Sequence, residues 1–134
     1  RRLMSLSNLV PLSSIPLRTR GPFIISSTTG LQVTLHCVNW YGAHMEMMAN
    51  NGLNRRPIHE ISEHIVDMGF NCVRLPYSLD MLFANSSTDR VPNAAEVLAF
   101  NPELQELSPM EVFDATVSSL TEAGLLVILN NHVS

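Results

Sequence analysis

Two stretches of the chain are written to one pattern, and that repetition limits its fold more than any other feature. Pro57 opens a run in which Ile58, Ile61, Ile65 and Met68 recur every three to four residues; Gly69 ends it, and Phe70-Asn71-Cys72-Val73-Arg74-Leu75 follows at once, halted by Pro76. Ser108-Pro109-Met110-Glu111 opens a second run, striped by Phe113, Val117 and Leu120. Gly124 ends that run, and Leu125 to Leu129 follow before Asn130-Asn131-His132. The spacing is that of one apolar helical face. Proline suits a first helical turn because its missing N–H would find no partner there, and glycine accepts the left-handed conformation that stops a helix. Ser108 with Glu111 has the form of a capping box. The near-continuous apolar run 125–129 predicts a strand buried on both faces, as in parallel sheets.

A third strand is expected earlier. Phe23–Ser27 and Leu31–Leu35 are short β-type runs that read as a hairpin about Thr28-Thr29-Gly30. The second run continues through His36-Cys37-Val38-Asn39-Trp40, which places a buried strand at about 35–40. Residues 1–20, with Pro11 and Pro16, read as an irregular lead-in; residues 78–107 read as a long connection with a short helix around 94–99. The resulting order, β-α-β-α-β, implies parallel strands joined by crossover helices. A barrel and a doubly wound sheet both begin this way, although no glycine-rich phosphate loop follows the first strand.

Composition narrows the function classes. At 46% hydrophobic and 15% charged residues the chain is a globular one. A net charge of −4, with eight Arg and no Lys, gives no electrostatic reason for nucleic acid or an anionic membrane as partner. No apolar run reaches 18 residues, and no secretion signal is visible. Arg1 precedes the first Met at position 4, so the reading frame is expected to begin upstream. Cys37 and Cys72 lie in apolar runs without metal-ligand spacing and are read as buried free thiols; the alternative, a disulfide, needs their strands to be neighbours. Asn85-Ser86-Ser87 is a glycosylation sequon short enough to arise by chance. His59 and His64 are five apart, about 140° round a helix, and do not form the zincin pair. The cluster His44-Met45-Glu46-Met47-Met48 offers soft ligands but reads as a loop tucked over the sheet's end. No metal or cofactor is expected.

In either parallel architecture the ligand meets the C-terminal ends of the strands. Those ends carry Asn39, Trp40 and Tyr41; Arg74, Pro76 and Tyr77; and Asn130, Asn131 and His132. Aromatic rings cover the apolar face of a sugar, and planar side-chain donors bond its hydroxyls. A polar, ring-shaped, hydroxyl-rich ligand is therefore expected, with Arg74, His132, Asn39, Trp40, Tyr77 and Asn131 as candidate contacts. The plainer alternatives are a salt-bridge or surface residue for Arg74, a structurally satisfied histidine for His132, packing for Trp40 and Tyr77, and a turn cap for Asn39.

Gly69-Phe70-Asn71-Cys72-Val73-Arg74-Leu75-Pro76 and Val127-Ile128-Leu129-Asn130-Asn131-His132 resemble the second and third strands of glycoside hydrolase family 5, the cellulase family. Val38-Asn39-Trp40 is similar to the end of its first strand, and the likeness spans roughly residues 31–134. The resemblance implies the N-terminal part, about three βα units, of a TIM (β/α)₈ barrel preceded by a short β-hairpin. Residues 21–134 would then be a partial barrel domain truncated after the third strand. It implies that Arg74 is the active-site arginine that steadies the nucleophile, and that His132 lines the sugar site. Many members carry Asp two residues before that His, where this chain has Asn130.

The family cleaves β-linked glucans with retention, using two Glu residues after the fourth and seventh strands. Retention needs those carboxyls about 5–5.5 Å apart, and both would lie beyond this chain, so it holds no catalytic pair of its own. The implied parent is a secreted enzyme, a monomer when full length, acting on a β-linked oligo- or polysaccharide. The alternatives are a non-catalytic truncated product or sugar-binding remnant, and an unrelated barrel or doubly wound enzyme.

Overall fold

The computed structural model describes residues 8–84, 86 and 88–133; Asn85 and Ser87 of the sequon lie outside them. A 3₁₀ turn, Leu12–Ser14, leads into β1 (Leu17–Arg20) and β2 (Phe23–Ser26), an antiparallel hairpin. Then come β3 (Cys37–Asn39), α1 (Ile58–Asp67), β4 (Cys72–Ser78), α2 (Leu79–Phe83), α3 (Ala94–Val97), a 3₁₀ turn (Pro102–Leu104), α4 (Pro109–Glu122) and β5 (Leu126–Val133). The strands β3, β4 and β5 form one parallel sheet in that order, with Asn39 opposite Arg74 and Pro76 opposite Asn130.

Both helices end as the sequence predicts, at glycines with φ near +93°. The Ser108 backbone N–H donates to Glu111 Oε2 at 2.8 Å, and the Glu111 N–H donates to Ser108 Oγ at 3.3 Å, completing the capping box. Those bonds to Ser108 hold the Glu111 carboxyl below its ordinary pKa. Helix α1 buries Ser62, Ile65 and Val66, while Met68, expected in the stripe, is 53% exposed beyond the last turn. Helix α4 buries Val112, Phe113, Thr116 and Leu120; the Thr116 hydroxyl satisfies itself on Val112 O at 3.0 Å. The two helices meet at a Ser62–Ser119 hydroxyl bond of 2.7 Å.

One side chain ties the long connection 78–107 to the start of α1. Asn101, fully buried, accepts from the Ile58 N–H at 2.7 Å and donates to Leu53 O at 2.8 Å and Arg56 O at 3.0 Å. It thereby caps the start of α1 from 43 residues away, satisfying a donor that Pro57, which lacks a side-chain cap, leaves open. Leu53, Leu75, Met81, Leu98 and Leu120 are fully buried in the core.

Four expectations need correction. The reversal at 28–30 forms, because Ser26 Oγ collects the Thr29 N–H at 3.0 Å, but Leu31–Leu35 makes only an isolated bridge from Gln32 to Ile25. The ladder partner of β2 is instead Leu17–Arg20, from the supposed irregular lead-in. Cys37 and Cys72 are not free thiols: they form a disulfide, Cα–Cα 4.5 Å. Parallel register sets them directly opposite each other on one face of β3 and β4. Finally, β5 is not buried on both faces. Ile128 is 42% and Leu129 57% exposed, because β5 pairs with β4 alone among the described residues. No described helix is long and apolar enough to cross a membrane.

Candidate functional site

Alternation along the strands selects the residues that share a face. On β4, Leu75 and Tyr77 point one way and Arg74 the other; on β5, Asn130 and His132 share the side of Arg74. The Arg74 guanidinium donates to Asn130 Oδ1 from Nη2 at 2.8 Å and Nε at 3.3 Å, and to Asn39 Oδ1 from Nη1 at 3.3 Å. Three strand ends are thus tied through one arginine. Asn130 Nδ2 lies 3.4 Å from His132 Nδ1, so His132 is held by the same amide. The partners of Arg74 are two neutral amide oxygens, and its positive charge stays uncompensated by them. A cation held in this way is available to an anion or to the oxygens of a polar ligand.

The loop after β3 adds two rings. Tyr41 and His44 stand 5.3 Å apart between ring centroids, and His44 meets His132 edge-on at 4.9 Å. Tyr41 also lies 6.1 Å from His132. Burial, then the neighbouring His132, then Arg74 lower the pKa of His44 below its ordinary value. Its Nδ1 is buried without a hydrogen-bond partner, which equally favours the neutral ring, since an imidazolium there would strand an N–H.

Of the six candidates, Arg74, Asn39 and His132 converge on this rim, and Asn130 joins them. Trp40 does not: it is 7% exposed within the core, and its ring N–H is occupied by Asn51 O at 2.7 Å. Tyr77 faces the helix layer, its ring 6.3 Å from Phe113 of α4. Asn131 is exposed and sits opposite Tyr77 in the register, on the other side of the sheet from Arg74. Both Tyr77 and Asn131 occupy the wrong parity of the pleat. His44 is the member that strand-end logic missed; its signal was the His-Met-Glu-Met-Met loop itself.

The profile described as Cellulase (glycosyl hydrolase family 5) matches residues 30–134. The chain belongs to glycosyl hydrolase family 5. It is 42% identical to a glycosyl hydrolase 5 family protein of Chamaecyparis obtusa, over 98% of this chain and 26% of that protein. It is 25% identical to an endoglucanase of Paenibacillus polymyxa, over 85% of this chain and 27% of that one. The family 5 chain here thus spans about a quarter of the length of these curated relatives.

Solved structures give the fold. An endocellulase from Pyrococcus horikoshii in complex with cellotetraose superposes with a TM-score of 0.71 at 23% identity, over 92% of this chain and 32% of that one. The catalytic domain of the major endoglucanase from Xanthomonas campestris superposes with a TM-score of 0.73 at 24% identity, over 87% and 32%. The parallel sheet and its helices are therefore part of a TIM barrel, with the small antiparallel hairpin preceding them.

Proposed function

We propose that this chain is the opening part of a secreted, monomeric, retaining β-glycosidase acting on β-linked glucans, and that it supplies part of the sugar-binding rim. The observation that carries the reading is the Arg74 cluster. A guanidinium fixed by amides from two neighbouring strand ends, with His132 beside it, presents donors to a hydroxyl-rich ligand at the rim where TIM barrels hold substrate.

In this reading residues 21–134 form the first part of the barrel, and the two catalytic Glu residues come from strands beyond residue 134. Arg74 stabilises the nucleophilic carboxylate; Asn39 and Asn130 orient Arg74; His132 bonds the sugar beside the scissile linkage. The apolar, exposed flank of β5 is then covered by the next βα unit, and the 134-residue segment alone aggregates and hydrolyses nothing. A polysaccharide substrate requires an enzyme outside the cell, and the Cys37–Cys72 disulfide suits an oxidising compartment.

The test is hydrolysis of a soluble β-glucan by the full-length protein. Wild type is expected to release reducing sugar. Arg74→Ala, which removes a charge and leaves two amides unpaired, should lower kcat/KM by about a hundredfold or more. A full-length protein inactive on every β-glucan, or an Arg74→Ala variant of undiminished kcat/KM, would sink the proposal.

A further inference from the structure

Met45, Met47 and Met48 stand within four residues of one another and line one open depression of about 610 Å³, together with His44. Met45 is 48% exposed, and Met47 and Met48 are half-buried. The depression adjoins the Arg74 rim, because His44 lines it and its ring stands 4.9 Å from that of His132. The methionines elsewhere lie apart from the rim. Met81 is fully buried, Met110 is half-buried in the first turn of α4, and Met68 is 53% exposed beyond the last turn of α1. Met68 precedes β4 and therefore sits at the opposite end of the sheet from the rim.

The loop that carries the three methionines is held in one shape. At the neck, the Asn51 N–H donates to Tyr41 O at 2.8 Å and Asn50 Nδ2 donates to Trp40 O at 2.9 Å. Inside, Met45 N donates to Gly42 O and Met48 N to Met45 O, both at 2.9 Å. Gly42 has φ +130°, and a Cβ there would run into Ala49 O, so only glycine permits the closure. Met48 takes a left-handed φ of +50°, a conformation that a long side chain adopts only where its surroundings impose it. Thioethers are weak acceptors and ask nothing of this wall. The amides at 45 and 48 are occupied by the loop's own carbonyls, whereas His44 Nδ1 is buried with no hydrogen-bond partner among the described residues.

We propose that Met45 and Met47 are an oxidation site through which a hydroperoxide lowers the activity of the neighbouring rim. The proposal rests on the glycosidase reading above, since activity at the rim is where its consequence is read. Exposure admits the oxidant to Met45, and the open depression admits it to Met47. The thioether sulfur attacks one peroxide oxygen: an S–O bond forms as the O–O bond breaks, and sulfur gives up two electrons. The proton of the transferred hydroxyl passes to the departing hydroxide, which leaves as water, and the side chain is now a sulfoxide. That product is polar where the thioether was apolar, and its oxygen needs a donor. The loop amides are taken, so the partner at hand is the His44 ring through Nδ1. Pairing there turns the ring and breaks its edge-on contact with His132. The compartment that the Cys37–Cys72 bridge suits is one without a thiol pool to remove peroxide.

The experiment treats the full-length protein with dilute hydrogen peroxide. Sulfoxide at each methionine is followed by peptide mass spectrometry, beside kcat/KM on a soluble β-glucan. Wild type, Met68→Leu and the double variant Met45→Leu with Met47→Leu are compared, leucine being close to methionine in volume. Wild type and Met68→Leu should lose about five- to tenfold in kcat/KM, the scale of one disturbed contact, in step with sulfoxide at Met45 and Met47. Methionine sulfoxide reductases acting on both epimers should restore the activity. The double variant should keep its activity while its Met68 is oxidised. An equal loss in the double variant overturns the proposal, and so does full oxidation of Met45 and Met47 at unchanged kcat/KM. Oxidation of Met68 with Met45 and Met47 left intact overturns it as well. If untreated wild type cleaves no β-glucan, the glycosidase reading fails by itself. The ring resonances of His44 and His132 then decide the oxidation site: a shift on peroxide treatment that the double variant lacks supports it, and unshifted resonances refute it.

Discussion

Replacing Asn101 by Ala removes three hydrogen bonds from the interior at once. The Ile58 N–H, Leu53 O and Arg56 O all lose their side-chain partner, and Asn101 is fully buried, so water does not substitute. A buried polar group left unpaired costs about 1–3 kcal/mol. Arg56 is an exposed residue, so solvent takes over its carbonyl. Leu53 O keeps the Phe100 N–H as a donor at 3.2 Å, so the unpaired Ile58 N–H and the small cavity left by the amide give a loss of about 2–4 kcal/mol. The assay is urea unfolding of the full-length protein, paired with amide hydrogen exchange. The Ile58 amide should exchange faster in the variant than in wild type by a larger factor than amides in β4. Asn54→Ala, an exposed asparagine in the loop before α1, serves as control and should stay within about 0.5 kcal/mol of wild type. An Asn101→Ala protein as stable as that control, with an Ile58 amide equally protected, would refute the idea that one side chain ties the connection 78–107 to the start of α1.

Three further outcomes are expected. Reducing the Cys37–Cys72 bridge, or replacing both cysteines by serine, opens a crosslink spanning 35 residues; loop-closure entropy puts the loss at about 4 kcal/mol, seen as a lower melting temperature with reductant. Equal melting temperatures with and without reductant would argue against the bridge. His44 is half-buried with a lowered pKa, so the unfolded chain takes up its proton first as pH falls below about 6.5. Stability contributed by the neutral ring is then lost with falling pH, and His44→Gln should flatten the decline in melting temperature between pH 7.5 and 5.5; parallel curves would contradict this. Gly42→Ala should destabilise the loop by about 2 kcal/mol or more, measured by thermal unfolding, and an unshifted transition would show that the neck can yield.

Much of the scaffold was legible because its signals are local. Helix spacing, the capping box at Ser108 and the stops at Gly69 and Gly124 act over three or four residues, and each formed where the sequence places it. The strand order follows from the same punctuation. The site was only partly legible. Arg74, Asn39 and His132 were named from their position at strand ends, but Trp40, Tyr77 and Asn131 were named on the same ground and stand elsewhere. Being at the end of a strand does not say which side of the pleat a residue takes. That depends on register, which sets Asn130 and His132 on the side of Arg74 and Tyr77 against Phe113.

The repeated helix–glycine–strand pattern was therefore enough to determine a parallel α/β chain and the rim on which its polar residues gather. Tertiary structure alone decided the contacts made across long separations. These are the disulfide between residues 35 apart, the Asn101 cap 43 residues from its helix, the single Arg74 network joining three strands, and the closure of the methionine loop against His132. The physical reason is the same in each case. Helix caps and apolar periodicity are properties of consecutive residues, whereas a hydrogen bond or a ring contact between strands depends on how two segments register, and no local pattern encodes that.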